Sequence, residues 1–249
     1  MSKKALAGVI LTVASAMASA ASGTSVDFSN GMQGWDSGPD YDGTQGVWID
    51  SSLGGTSPAL HTINPMTFGV NWINRTDAFT GNYGANASVT LGIDVLANSI
   101  QYDGREVMRN MVVELRDYDN PYGGLPFTSV WYNLGEFGAG QGWQHLSVTI
   151  GDTSATALPS GWGGYGSTVN EPSLPPGRSF ADVLAGVDEI AFTTFEPGYV
   201  YGWTAYDVAV DNISISPVPE PANFAMLAGG LGILALARRR RDGKRIQKI

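Results

Sequence analysis

The chain has 249 residues, of which 23 are acidic and 14 basic, and it contains no cysteine. The absence of cysteine excludes a disulfide framework, a thiolate nucleophile and a cysteine-ligated zinc site. Residues 21–217 hold 21 acids against five arginines and no lysine, which leaves 16 net negative charges. Such a surface repels phosphate backbones, so nucleic acid is excluded as a partner.

Residues 1–20 have the three parts of a secretory signal peptide. Lys3 and Lys4 form a short basic region, residues 5–17 are apolar, and Ala18-Ser19-Ala20 supplies the small residues of a cleavage site. We therefore expect an N-terminal signal helix that the export machinery recognises and that signal peptidase removes after Ala20.

Residues 24–216 are long enough for one domain with its own core. Two stretches, 88–95 and 145–150, alternate apolar with small or polar residues and predict half-buried strands. Similar runs predict further strands at 25–28, 46–49, 68–73, 111–118, 129–133, 187–194 and 206–215. One short helix is predicted at 179–184, with Ser179 as its N-cap.

Many short strands without a strand–helix alternation predict an all-β domain. The expected fold is an antiparallel two-sheet β-sandwich of the jelly-roll type. Residues 153–178, which are rich in Pro, Gly and Ser, are predicted to form a long loop that is either a functional surface loop or a mobile one.

The last predicted strand changes its inward face part of the way along. Val208 and Val210 fall on one parity, whereas Ile213 and Ile215 fall on the other. One extra residue at 211–212 would return both pairs to the core, which predicts a β-bulge at that point.

The two ends of this domain resemble the first and last strands of jelly-roll carbohydrate-binding modules and laminin-B-like domains. The resemblance rests on residues 28–35, Phe-Ser-Asn-Gly-Met-Gln-Gly-Trp, and residues 208–215, Val-Ala-Val-Asp-Asn-Ile-Ser-Ile. It implies that an acidic residue near each terminal strand, Asp27 and Asp211, holds a structural calcium ion. The alternative for Asp211 is a solvent-facing device at a strand edge.

Aromatic residues flanked by glycine are the candidate ligand contacts. They are Trp162, Tyr165, Tyr199, Tyr201 and Trp203. Exposed flat rings beside Asp and Asn side chains can stack on sugars while the polar groups bind hydroxyls, so a polysaccharide is the candidate ligand. The alternative is that the tryptophans serve the core.

No catalytic motif accompanies these residues. Glu114 and Asp117 fall on opposite faces of one predicted strand, and Asp188 and Glu189 are adjacent, so neither pair supplies two carboxylates from one strand. We expect a protein without enzymatic activity. A glycan hydrolase assembled from distant positions is the less favoured alternative.

Residues 217–249 differ in composition from the domain. Pro219, Glu220 and Pro221 precede 16 uncharged residues, 222–237. As a helix these measure about 24 Å against a hydrocarbon core of roughly 30 Å, so they cross a membrane with help from flanking side chains. The basic residues that follow immediately are Arg238, Arg239, Arg240 and Arg241.

This order resembles the PEP-CTERM sorting tail of Gram-negative bacteria. The resemblance implies that the inner membrane holds the exported protein until an exosortase-type membrane protease removes the tail. The alternative is an ordinary single-span anchor with a basic flank. The sequence thus predicts a cell-surface or extracellular-matrix protein that binds glycan or matrix, or else a purely structural matrix component without a small ligand.

Overall fold

A computed structural model describes residues 23–37, 46–53, 58–168 and 173–219. The predicted signal helix and the predicted transmembrane helix both lie outside these ranges. Within them, no helix combines the length and the apolar character that crossing a membrane requires.

The described residues form short and long strands with one small helix. The strands are β1 (Thr24–Val26), β2 (Trp35–Asp36), β3 (Gly46–Asp50), β4 (Ala59–Thr67), β5 (Asn71–Asn74), β6 (Asn86–Tyr102), β7 (Arg105–Glu106), β8 (Arg109–Asp117), β9 (Thr128–Phe137), β10 (Gln144–Ile150), β11 (Trp162–Tyr165), β12 (Glu189–Thr193) and β13 (Thr204–Pro219). The helix is α1 (Phe180–Leu184), and 3-10 turns lie at Tyr83–Ala85 and Tyr122–Gly124.

The strands pair into two sheets, and every pairing between described strands is antiparallel. Sheet A has the order β10-β6-β13-β4-β3, with β1 beside β13 and β7 beside β6. Sheet B has the order β11-β9-β8-β12-β5-β2. The prediction of an antiparallel two-sheet sandwich is confirmed.

The core lies between the sheets and is filled by alternate residues of the central strands. Leu91 and Ile93 of β6 and Val113 and Leu115 of β8 are fully buried. Since burying such a side chain contributes about 1.5–3 kcal/mol, this alternation supplies much of the stability of a domain without disulfides.

The bulge in the last strand is confirmed. The register between β13 and β6 shifts between Asp211 and Ser214, and Asn212 has a φ of 48°. Asn tolerates this left-handed conformation better than most residues. The two halves of β13 consequently both face the core, with Val208, Val210, Ile213 and Ile215 buried there.

The short helix is confirmed together with its cap. The Asp182 backbone N–H donates to Ser179 Oγ at 3.2 Å, and the Ser179 backbone N–H donates to the Asp182 carboxylate at 2.8 Å. This reciprocal capping box satisfies two backbone donors at the start of α1.

Strands β2, β4, β7 and β11 are absent from the sequence-based expectation, and two of them have a clear reason. β4 is not predicted, because its inward positions include Thr62 and Asn64, which are polar yet fully buried. Trp72 Nε1 donates to Thr62 Oγ1 at 2.8 Å, which satisfies the buried hydroxyl. β11 lies within residues 153–178, so the prediction of an uninterrupted loop there is wrong.

The last strand extends past residue 216, where the sequence places the end of the sandwich. β13 stays paired with β6 as far as Pro219, which lies opposite Asn86. β1 begins at Thr24 opposite Ile215, so no described strand pairs with the other side of β13 beyond that point. Proline lacks an N–H, and such an open edge is where a strand tolerates it.

Both ends of the described chain therefore lie at one end of the sandwich, which we call the terminal end. The opposite end, where β6 finishes at Tyr102 and β13 starts at Thr204, is called the distal end.

Candidate functional site

The outer face of sheet B carries charged side chains that come from neighbouring strands. Val113 and Leu115 of β8 enter the core, so Glu114 and Arg116 point outward. The register places Glu189 of β12 opposite Arg116. Residues far apart in the sequence thus meet on one face.

Arg116 joins two carboxylates on this face. Its Nε and Nη2 donate to Glu114 Oε2 at 2.8 and 2.5 Å, and its Nη1 donates to Glu189 Oε1. Arg75 Nη2 forms an ion pair 2.5 Å from Glu189 Oε2, without the alignment of a hydrogen bond. Ser129 Oγ donates to the remaining Glu114 oxygen at 2.5 Å. The carboxylate oxygens are therefore committed to protein partners.

The electrostatics of this cluster favour the charged guanidinium. Burial alone would lower the pKa of Arg116, but the carboxylates of Glu114 and Glu189 outweigh burial and raise that pKa. Because each carboxylate is buried, the pairing compensates a charge that would otherwise destabilise the fold. We call this cluster of Glu114, Arg116 and Glu189 on the outer face of sheet B the charged floor.

A first aromatic group lies at the terminal end of this face and consists of Tyr118, Phe127 and Tyr165. The Phe127 ring centroid lies 5.4 Å from that of Tyr165 and 5.5 Å from that of Tyr118. The Arg116 guanidinium lies 4.8 Å from the Phe127 ring centroid, in cation–π contact. Burial first, and the nearby Glu189 carboxylate second, raise the pKa of Tyr118.

Three aromatic residues singled out in the sequence lie at the distal end, in the loop that leads into β13. Tyr199 and Trp203 expose 57% and 47% of their surface. The Tyr199 and Tyr201 ring centroids are 4.8 Å apart, and Trp203 packs against Phe68 at 4.1 Å. We call Tyr199, Tyr201 and Trp203 the distal aromatic group. Its Tyr199 and Trp203 rings are accessible to solvent, and they pack against Tyr201 and Phe68, respectively.

Polar contacts connect the distal aromatic group to sheet B. The Arg109 guanidinium lies 4.3 Å from the Tyr201 ring centroid, and its Nη2 donates to Thr204 Oγ1 at 2.7 Å. Asn110 Nδ2 donates to Glu196 Oε2 at 2.9 Å. Because Arg109 and Asn110 begin β8, the loop that carries the rings is held against the sheet.

Trp162 belongs to neither aromatic group. The alternation of β11 turns Trp162 inward and Tyr165 outward, and Trp162 is only 9% exposed. Its ring centroid lies 5.1 Å from that of Phe180 and 5.4 Å from that of Tyr132. Trp162 thus lies in the core, which is the alternative reading of its sequence context.

The two predicted calcium ligands lie near one another in the pairing of the terminal strands. Val26 is opposite Ile213, so Asp27 continues β1 toward the bulge at Asn212. Asp211 is buried, and its Oδ1 accepts the Asn212 N–H at 2.7 Å. Among the described residues, no three acidic or histidine side chains are grouped so that they could hold a metal ion. The calcium site remains a prediction.

The sequence alone predicts only part of the charged floor. The outward parity of Glu114 and Arg116 is visible in the alternation of residues 111–118. Their partner Glu189 is not, because Arg116 and Glu189 are separated by 73 positions.

No family model matches the sequence, and neither does the sequence of any curated protein. Among solved structures, the chain is similar to a family 11 carbohydrate-binding module from Clostridium thermocellum in complex with a β-1,3-1,4-mixed-linked tetrasaccharide. The two are 14% identical with a TM-score of 0.49, over 81% of this chain and 99% of that chain.

Similar structures also include the CBM22-1 xylan-binding domain from Paenibacillus barcinonensis, at 12% identity and a TM-score of 0.44, over 79% of this chain and 94% of that one. A third is the CBM22-1 and GH10 modules of a Clostridium thermocellum xylanase complexed with xylohexaose, at 10% identity and a TM-score of 0.45. The match covers 78% of this chain and spans only 28% of the xylanase chain.

The charged floor generates a stability prediction. Arg116→Gln would leave Glu114 and Glu189 with uncompensated buried charge and should lower the free energy of unfolding by about 3–5 kcal/mol. Urea denaturation at neutral pH measures this. Arg105→Gln, at an exposed position on β7, is the matched control and should change stability by less than about 0.5 kcal/mol. Equal effects of the two variants would show that the floor is not structural.

Proposed function

We propose that this chain is an exported protein of the cell surface or extracellular matrix whose jelly-roll sandwich binds a neutral glycan along the outer face of sheet B. The observation that carries the proposal is the pair of aromatic groups near the two ends of β8, with the buried charged floor between them. Exposed rings supply stacking surfaces for sugars. The charged floor, whose carboxylates are buried and bonded to protein groups, fixes the strand that carries these rings.

The dimensions of this face favour a chain over a single sugar. The two aromatic groups lie at opposite ends of β8, near Arg109 and Arg116. Seven residues of strand separate these positions, which is roughly 23 Å at about 3.3 Å per residue. A ligand that reaches both groups must therefore be an oligosaccharide or polysaccharide.

The charge of the protein favours a neutral ligand. Residues 21–217 carry 16 net negative charges and no lysine. A polyanionic chain such as a uronate polymer would be repelled over most of the surface. The arginines near the rings, Arg109 and Arg116, are already engaged by protein groups.

Calorimetric titration with neutral hexasaccharides, including xylohexaose and cellohexaose, tests glycan binding. Tyr199→Ala and Trp203→Ala should each weaken binding at least tenfold, about 1.4 kcal/mol, because each removes an exposed stacking surface. Trp48→Ala is the control, since Trp48 is 40% exposed but lies on the outer face of sheet A.

Two outcomes of this titration favour the alternatives. Heats of zero with every saccharide, together with normal surface assembly, would indicate a purely structural matrix component. Release of shorter products from a polysaccharide would instead indicate a hydrolase.

We also propose a structural calcium ion between Asp27 and Asp211, supported by their adjacency in the terminal strands. An ion at 100-fold excess over its Kd stabilises a fold by about 2.7 kcal/mol, roughly 5–10 °C in Tm for a domain of this size. A chelator should lower Tm by that amount, and Asp211→Ala should abolish the sensitivity, whereas Asp152→Ala, at an exposed acid, should retain it. Identical melting curves with and without chelator would contradict the site.

Export and sorting are supported by the order of features at the two ends of the sequence. Under this proposal Glu220→Ala, in the Pro-Glu-Pro motif, prevents removal of the tail, so the protein keeps the mass of residues beyond Pro221. Asp242→Ala changes the only other acid of the tail and should mature normally. Intact mass of the protein recovered from cells reports both processed ends. A Glu220→Ala protein with the mass of the mature protein would refute the sorting role.

A further inference from the structure

A groove of about 840 Å³ opens on the side of the sandwich, away from the outer face of sheet B. It lies between β10, an edge strand of sheet A, and strands β9 and β11 of sheet B, with the connection 151–160 along its rim. This volume falls in the range of small-ligand sites, roughly 300–1,000 Å³.

The walls of the groove are apolar and partly aromatic. They include Tyr132, Val148, Ile150, Leu158 and Trp162. The rings of Tyr132 and Trp162 lie 5.4 Å apart at an angle of 47°. Although Trp162 packs into the core on one side, it therefore also contributes to the groove.

The rim of the groove carries hydroxyl groups and a single charge. The polar side chains are Thr149, Asp152, Ser154, Thr156 and Ser160. The Asp152 carboxylate accepts from the Ser154 N–H at 2.9 Å and from Ser154 Oγ at 2.6 Å, and these hydrogen bonds lower the pKa of Asp152. None of the lining residues, all of which are described, is a cation, so the groove is unsuited to an anionic ligand.

The rim is held in place before any ligand arrives. The Ala181 N–H of α1 donates to Ala155 O at 3.0 Å, and Thr153 Oγ1 donates to the backbone of Asn86. Gly161, at a φ of 84°, lets the backbone approach Tyr132, because a Cβ there would lie 2.8 Å from the ring. A preformed site avoids part of the entropy cost of binding.

We propose that this groove is a second carbohydrate site, which takes a short neutral saccharide and is independent of the outer face of sheet B. Aromatic walls, a hydroxyl rim and one carboxylate without a cation match an uncharged polyhydroxylated ligand. On β11, Trp162 faces the groove and Tyr165 faces the outer surface, so the two sites lie on different sides of one strand.

A domain with two such sites engages two glycan segments at once. When the two segments belong to different chains, a single copy tethers neighbouring chains of a polysaccharide, and when they belong to one chain, the second binding event is intramolecular and strengthens the first. With two sites instead of a single glycan-binding face, the protein would act as a cross-linker of a matrix.

The test is a backbone-amide NMR titration of the purified protein with xylohexaose, cellohexaose and maltohexaose. We expect shifts at the amides of Gly151, Thr156 and Gly161 that saturate separately from those on the outer face. Ala157→Trp places a large ring in the groove from an exposed lining position and should weaken this binding at least tenfold. Ala185→Trp, at an exposed position after α1, is the matched control and should leave both sets of shifts unchanged.

The outcomes separate this proposal from the proposed function. Shifts confined to the outer face would overturn the groove and leave the outer-face site standing, whereas shifts confined to the groove would do the reverse. No shift with any of the three saccharides would overturn both. Groove shifts that depend on protein concentration without saccharide would show that a second copy fills the groove, which also overturns the proposal.

Discussion

The sandwich depends on the bulge in β13, because this strand is central to sheet A. β6 pairs along one side of it, and β4 and β1 pair along the other. Without the extra residue at 211–212, one of its two apolar pairs would face solvent. Losing two buried aliphatic side chains costs about 3–6 kcal/mol, a large part of the 5–15 kcal/mol that stabilises a typical domain. The backbone conformation of Asn212 is thus a condition for the whole fold.

The outer face of sheet B buries two carboxylates whose charge must be compensated. Negative charges repel one another in an acid-rich protein such as this one. On this face Glu114 and Glu189 are nevertheless buried close together, because Arg116 forms ion pairs with both. Their pairing specifies the register of β8 and β12, because a slip by one residue would turn every outward side chain inward. Arg116 also supports the Phe127 ring, whereas Arg109 and Asn110 hold the distal aromatic group, so both groups are anchored to β8.

Sequence reasoning succeeded where the alternation of a strand was visible and failed where burial was polar or pairing was distant. β6, β10 and the bulge follow from local patterns. β4 does not, because its inward positions include the polar residues Thr62 and Asn64, which break the apolar alternation. Gly163 illustrates a subtler failure. In sequence it indicates a loose loop beside Trp162, but in the fold a Cβ there would clash with the Trp131 ring. Close packing, rather than flexibility, requires this glycine, and only the register of β11 on β9 shows it.

The continuation of β13 to the edge of the tail has a mechanical consequence. A pull on the C-terminus acts along the axis of β13, while β6 runs antiparallel beside it from Asn86 onward. The backbone hydrogen bonds between the two strands would then bear the load together in shear, instead of opening one after another like a zipper. A load applied between the distal end and the terminal end would therefore meet the longest strand pair among the described strands.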